Sequence, residues 1–139
     1  MHLFTYGSLM FPEVWQRVTG LTHPGQPSTL GHHAARRIRG KSYPALVPED
    51  GAATAGILYT DIPPEAVARL DAFEGTFYDR VPVEVALTDG TLLPAWVYRA
   101  GDGTSPDILP QHWEASRFAR EELGAFLQED PGFQESGRD

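Results

Sequence analysis

Glu74 is the residue whose type and setting first suggest chemistry. It stands in Leu70-Asp71-Ala72-Phe73-Glu74-Gly75, at the end of a stretch with helical spacing and directly before a glycine. In the last turn of a helix the macrodipole disfavours a negative charge. Phe73 and Phe77 lie close in sequence and can form an apolar wall, which would penalise ionisation further and push the carboxyl pKa upward. A carboxyl so poised can accept and return a proton near neutral pH. The alternative is an exposed glutamate on a helix tip, the commoner fate of an acid at a helix end. Asp71, one turn earlier, reads as a solvated or ion-pairing residue.

The second group is Tyr6-Gly7-Ser8-Leu9, where a strand runs into a glycine turn just before a helix. Successive backbone N–H groups in such a turn, beside a helix N-terminus, form a cradle for a carboxylate or a phosphate. Taken alone, the four residues fit a plain tight turn equally well.

Other groups fare worse. His32 and His33 are adjacent, so on a strand they face opposite sides, and no third ligand stands at a recognised metal spacing. Ser8 and Ser42 lie in no Gly-x-Ser-x-Gly elbow. Arg80 and Glu84 share one strand face and read as structural or cross-strand partners. Neither a dinucleotide fingerprint nor a P-loop occurs. With no cysteine in the chain, thiolate nucleophiles, Cys-ligated zinc and iron–sulfur clusters are excluded.

The chain must position these groups with 139 residues, of which 41% are hydrophobic and 22% charged. That length and usage fit one globular domain with a real core, expected over residues 1–129, with 130–139 as a flexible tail. The net charge of −8 and basic residues scattered apart from Arg36-Arg37 and Arg39 argue against a nucleic-acid partner. No run approaches the roughly 18 apolar residues of a membrane span. Met1-His2-Leu3-Phe4 is no basic and apolar leader, so no membrane partner and a cytoplasmic location are expected, as a monomer or weak homodimer.

Strands are expected at 2–6, 29–39, 42–47, 54–60, 78–87 and 91–98, the last two joined by a hairpin at Asp89-Gly90. Residues 21–28 read as a loop and 48–53 as a turn, and Gly56 as a bulge or close approach. Helices are expected at 12–19, after Pro63-Pro64 up to Gly75, and from about Pro110 to Leu127, the last with Trp113, Leu123, Phe126 and Leu127 inward. Many strands with few helices imply an α+β domain with a strongly curved antiparallel or mixed sheet.

In order and spacing, Phe4-Thr5-Tyr6-Gly7-Ser8-Leu9, Tyr43-Pro44-Ala45-Leu46-Val47-Pro48, Gly56-Ile57-Leu58-Tyr59, Leu70-Asp71-Ala72-Phe73-Glu74-Gly75 and Tyr78-Asp79-Arg80 resemble the γ-glutamylcyclotransferase-like family. The resemblance is nearest to the γ-glutamylamine cyclotransferase branch and its small bacterial relatives, and it covers about residues 2–99. It implies a barrel-like mixed sheet flanked by a few helices, with a cavity at one end where the loop meets the helix-end acid. It implies Glu74 as general base and acid, and Tyr6, Gly7, Ser8 and Leu9 as holders of a substrate α-carboxylate through backbone N–H groups. It implies release of 5-oxoproline from a γ-glutamyl amide, an acyl transfer within the substrate, with no metal or organic cofactor. Tyr78 and Tyr98 are weaker candidates for the cavity wall, since strand aromatics are more often core. The rival reading is a non-catalytic domain that holds a small carboxylate in the same cavity.

Overall fold

The computed structural model describes residues 1–22, 24–41, 43–75, 78–100 and 108–128. Phe77, Ser42 and the expected tail lie outside the described residues. Leu3–Thr5 forms β1, followed by a 3-10 turn at Ser8–Met10 and helix α1 at Pro12–Thr19. Strands β2 (Gln26–Ile38) and β3 (Pro44–Tyr59) come next, then helix α2 (Pro64–Glu74), β4 (Tyr78–Leu87) and β5 (Leu92–Ala100). Strand β6 (Ile108–His112) and helices α3 (Ala115–Glu121) and α4 (Leu123–Gln128) follow.

The strands join in the order β3-β1-β5-β4-β2, and β2 pairs back to β3, so five strands close into a barrel with β6 added beside β2. β1 runs antiparallel to β3, with Phe4 opposite Leu58, and parallel to β5, with Leu3 opposite Trp96. The expected mixed, barrel-like sheet is therefore observed. Each of the five barrel strands is thereby paired on both sides over part of its length.

The two-residue period of β1 sorts its side chains into two cores. Phe4 packs with Leu30, Leu58, Val85 and Val97, one from each of the other barrel strands, and so fills the interior. Leu3 packs outward with Trp15, Leu70 and Phe118 of the helices. Gly56 lets β1 and β3 approach: a Cβ there would stand 2.1 Å from the Thr5 carbonyl oxygen and 2.6 Å from the Phe4 ring. The Asp89-Gly90 hairpin forms as expected, with Leu87 N–H donating to Thr91 O at 2.8 Å and Gly90 at φ +87°.

Three expectations are corrected. β2 begins at Gln26, opposite Leu58, three residues before the expected start. The expected turn at 48–53 is strand: β3 runs unbroken from Pro44 to Tyr59, with Pro48 opposite His33. The chain direction is adjusted by a bulge between Gly31 and His33, where His32 takes φ +58°. Among the described residues β1 pairs with β3 only at Ile57–Tyr59, so Pro48 lies on a stretch laddered on one side, where a missing N–H is tolerated.

The expected helix from Pro110 is likewise strand at its start. Residues 108–112 pair with β2, Ile108 opposite Ile38 and His112 opposite Arg36, and the Trp113 N–H continues the contact by donating to Ala35 O at 3.0 Å. Helix begins only at Ala115 and breaks at Glu122, whose φ of −131° leaves the helical region. Trp113, Leu123, Phe126 and Leu127 do turn inward onto the helix-side core.

Candidate active site

Helix α2 starts with Pro64 in its first turn, and its end is set by Gly75, which at φ +70° donates its N–H to Asp71 O at 3.0 Å. Its buried side chains are Ala66, Leu70, Phe73 and Glu74. Counting from Ala66, Leu70 is i+4 and Glu74 i+8, so the acid occupies the last place on an otherwise apolar stripe. That placement explains why Glu74 is 0% exposed, and it overturns the reading of an exposed acid on a helix tip. The last turn of α2 carries no basic residue.

Asp71 is ion-paired, one of the two readings its position allowed. Arg80 reaches it with Nε at 3.1 Å from Oδ1 and Nη2 at 3.3 Å from Oδ2, while its guanidinium lies 5.2 Å from the centre of the Trp96 ring. Tyr98 OH donates to the same Asp71 Oδ1 at 2.6 Å. Burial pushes the Tyr98 phenol far above its usual range, helped by that bond to Asp71 and by the charges of Asp71 and Glu74. The Glu74 carboxyl is thus within electrostatic reach of Tyr98.

The backbone of Tyr98 leads on to the loop, because its carbonyl accepts from Tyr6 OH. Tyr6, Gly7, Ser8 and Leu9 are all buried. The turn holds itself by Met10 N–H to Gly7 O at 3.0 Å and Phe11 N–H to Ser8 O at 3.1 Å. Leu9 O accepts from Tyr59 OH at 3.2 Å, and Tyr59 stacks on Trp15 with ring centres 3.7 Å apart. Residue Tyr98 therefore joins the two expected site segments: its ring side to the α2 end, its carbonyl to the loop. Tyr78, the other tyrosine singled out, donates its OH to Pro44 O in the core.

A cleft of about 270 Å³ opens beside the loop, with Tyr6, Met10, Ala35, Thr54 and Trp113 in its wall. Glu74 is enclosed rather than part of that wall. From sequence the part played by Trp113, as lid or packing element, stays open, and Met10 and the alanines carry no signal that could mark them. Among the described residues no three His, Asp or Glu side chains gather to hold an ion. His33 faces Gly31 O at 3.0 Å and Arg99 Nη1 at 3.4 Å. No helix among the described residues is long and apolar enough to cross a membrane.

The family model described as gamma-glutamyl cyclotransferase, AIG2-like, matches residues 3–115. AIG2-like protein C of Arabidopsis thaliana is 28% identical over 139 residues, spanning 98% of this chain and 79% of the relative. A solution structure of an Arabidopsis thaliana protein is similar with a TM-score of 0.72 at 25% identity, over 91% of this chain and 85% of that one. A structure described as gamma-glutamyl cyclotransferase shares the fold, with a TM-score of 0.64 at 17% identity over 97% of this chain and 88% of that one. The family match takes in every barrel strand, the loop and the whole of α2, and this chain belongs to the gamma-glutamyl cyclotransferase, AIG2-like family.

Proposed function

We propose that this protein is a cyclotransferase that cleaves γ-glutamyl amides, releasing 5-oxoproline and a free amine, with Glu74 moving the proton. The observation that carries the reading is the complete burial of Glu74 at the foot of an apolar stripe. A purely structural position there would favour a hydrophobic side chain, because an enclosed carboxyl is costly. Family membership supports the same chemistry.

In this reading backbone N–H groups of the Tyr6-Gly7-Ser8-Leu9 loop hold the substrate α-carboxylate, successive main-chain donors in such a turn being suited to an anion. Holding that end brings the α-amine toward the δ-carbonyl, an arrangement that can lower the barrier by several kcal/mol. Glu74 takes one proton from the α-ammonium and frees its lone pair. The nitrogen attacks the δ-carbon, the new C–N bond closes a five-membered ring, and the old amide C–N bond breaks. Glu74 returns its proton to the departing nitrogen, and the second proton released by the attacking nitrogen reaches the product amine through solvent. The reaction is redox-neutral and draws every atom of both products from the substrate and its protons.

Glu74→Gln keeps the shape and removes the proton carrier. Loss of 5-oxoproline release by about 10²-fold or more, with a γ-glutamyl ligand still bound in a direct binding assay, is the expected result. A wild-type protein that binds such ligands but releases 5-oxoproline from no γ-glutamyl amine, amino acid or peptide would make this a carboxylate-binding domain without turnover.

A further inference from the structure

The cleft beside Tyr6 and Met10 is walled on the barrel side by Ala35, Ala53 and Ala55, and Trp113 enters it from the junction of β6 and α3. Its polar atoms are largely committed elsewhere. Tyr6 OH donates to Tyr98 O, and Thr54 Oγ1 donates to His33 O at 2.7 Å. The lining holds no Asp, Glu, Lys or Arg among the described residues; His112 at its margin is exposed. Charged side chains begin in a separate recess of about 180 Å³ beyond His112 and Trp113, where Arg37 and Arg117 stand with Glu114 and Glu122.

We propose that this cleft receives the departing half of the substrate and selects uncharged, apolar amines such as short alkyl or benzylic chains. The inference rests on the cyclotransferase reading of the loop and Glu74. It follows from continuity and composition: the cleft starts at Tyr6, the first residue of the loop assigned to the glutamyl end, and at Met10, which follows that loop. Cavities of about 150 Å³ lined by apolar side chains accept benzene, so about 270 Å³ has room for an alkyl chain or one ring. An ammonium tail would meet no carboxylate in this wall, and a carboxylate tail no guanidinium. Along this wall either charge would be partly desolvated, with only the exposed His112 at the margin to face it.

The test uses the full chain and a series of γ-glutamyl amides that differ only in the amine. Each buried methylene is worth about three- to four-fold, so kcat/KM should rise on the order of ten-fold from the ethylamide to the n-butylamide. The benzylamide should match or exceed the butylamide, and the amide of a diamine with a protonated tail should fall about ten-fold below it. Ala55→Asp places an acid in the lining at an exposed strand position, where folding is easily kept. It should remove the discrimination, raising the protonated-tail substrate relative to the butylamide by up to about ten-fold. Trp113→Ala should flatten the alkyl series, though Trp113 also packs 5.6 Å from Phe118, so Ala55→Asp is the decisive variant. Release from the amides with no dependence on chain length, or a preference for charged amino-acid leaving groups unchanged by Ala55→Asp, overturns the cleft assignment alone. No release from any amide overturns the cyclotransferase reading and the cleft assignment with it.

Discussion

The phenol of Tyr98 and the two guanidinium nitrogens of Arg80 converge on a single carboxylate, Asp71, at 2.6, 3.1 and 3.3 Å. One side chain thereby ties β5 and β4 to the last turn of α2, three residues before Glu74. The same Tyr98 holds Tyr6 through its carbonyl, so the spacing between acid and loop depends on where this strand residue sits.

Asp71→Ala should therefore cost more stability than Tyr98→Phe. In Tyr98→Phe the carboxylate keeps Arg80 and, being 44% exposed, gains water, so the loss is about 0.5–1.5 kcal/mol. In Asp71→Ala a phenol in a residue only 3% exposed is left without its acceptor, costing about 1–3 kcal/mol; the half-exposed ion pair itself adds little. Urea denaturation of both variants measures the order, and equal losses would show that the phenol finds another acceptor.

Gly56→Ala should be disproportionately harmful. The added methyl group would meet the Thr5 carbonyl oxygen at 2.1 Å and the Phe4 ring at 2.6 Å. Neither can yield easily, since Thr5 and Phe4 are laddered to Ile57 and Leu58 and Phe4 is in the barrel core. Overpacking of this kind costs about 1–3 kcal/mol or more. Gly31→Ala is the control, with no atom within 4 Å of its Cβ. A melting temperature lowered equally in both would contradict the close-approach explanation.

Much of this architecture is legible in local pattern. The Ala66, Val67, Leu70, Phe73 stripe and the Asp89-Gly90 turn are short-range signals, and α2 and the hairpin form where they point. Pro48 and Pro110 mislead because proline is read as a breaker or a helix start, whereas both are carried in strands by pairing with β2. That pairing joins residues far apart in sequence, such as Ile38 with Ile108, and no local window contains it. Glu74 was marked by its helix-end setting, yet its full enclosure follows only from the barrel and helices closing around α2. The cleft alanines are chemically silent until β2, β3 and the β6–α3 junction assemble them around Trp113.

The hairpin turn offers a test of backbone conformation alone. Gly90 sits at φ +87° with nothing within 4 Å of an added Cβ, so Gly90→Ala introduces no clash beyond its own backbone. The left-handed conformation costs an ordinary residue about 1–2 kcal/mol, and Asn tolerates it better. Gly90→Ala should lower the urea midpoint, with Gly90→Asn between it and wild type and the denaturant slope unchanged in all three. An alanine variant as stable as wild type would mean that the turn relaxes to another geometry at no cost.

Alkaline pH should expose the burial of Tyr59. Desolvation pushes its phenol up to about 12, whereas a tyrosine in an unfolded chain ionises near 10. Between those values the unfolded chain has released a proton that the folded chain keeps, so it binds fewer protons and stability falls as pH rises. The Tyr59 contribution is complete below about pH 10 and is lost progressively as pH climbs through about 12. Tyr98, raised further by burial and by its bond to Asp71, adds to the same decline. Tyr59→Phe removes the bond to Leu9 O, and at pH 8 it should cost about 1 kcal/mol. It also removes one titrating group, so its stability should fall less steeply above pH 10, by up to about 1.4 kcal/mol per pH unit. The gap between wild type and variant should then narrow and close as the pH is raised, measured by urea denaturation at pH 8, 10 and 11.5. A gap that stays constant would show that Tyr59 ionises equally in both states, which an enclosed phenol stacked on Trp15 could not do.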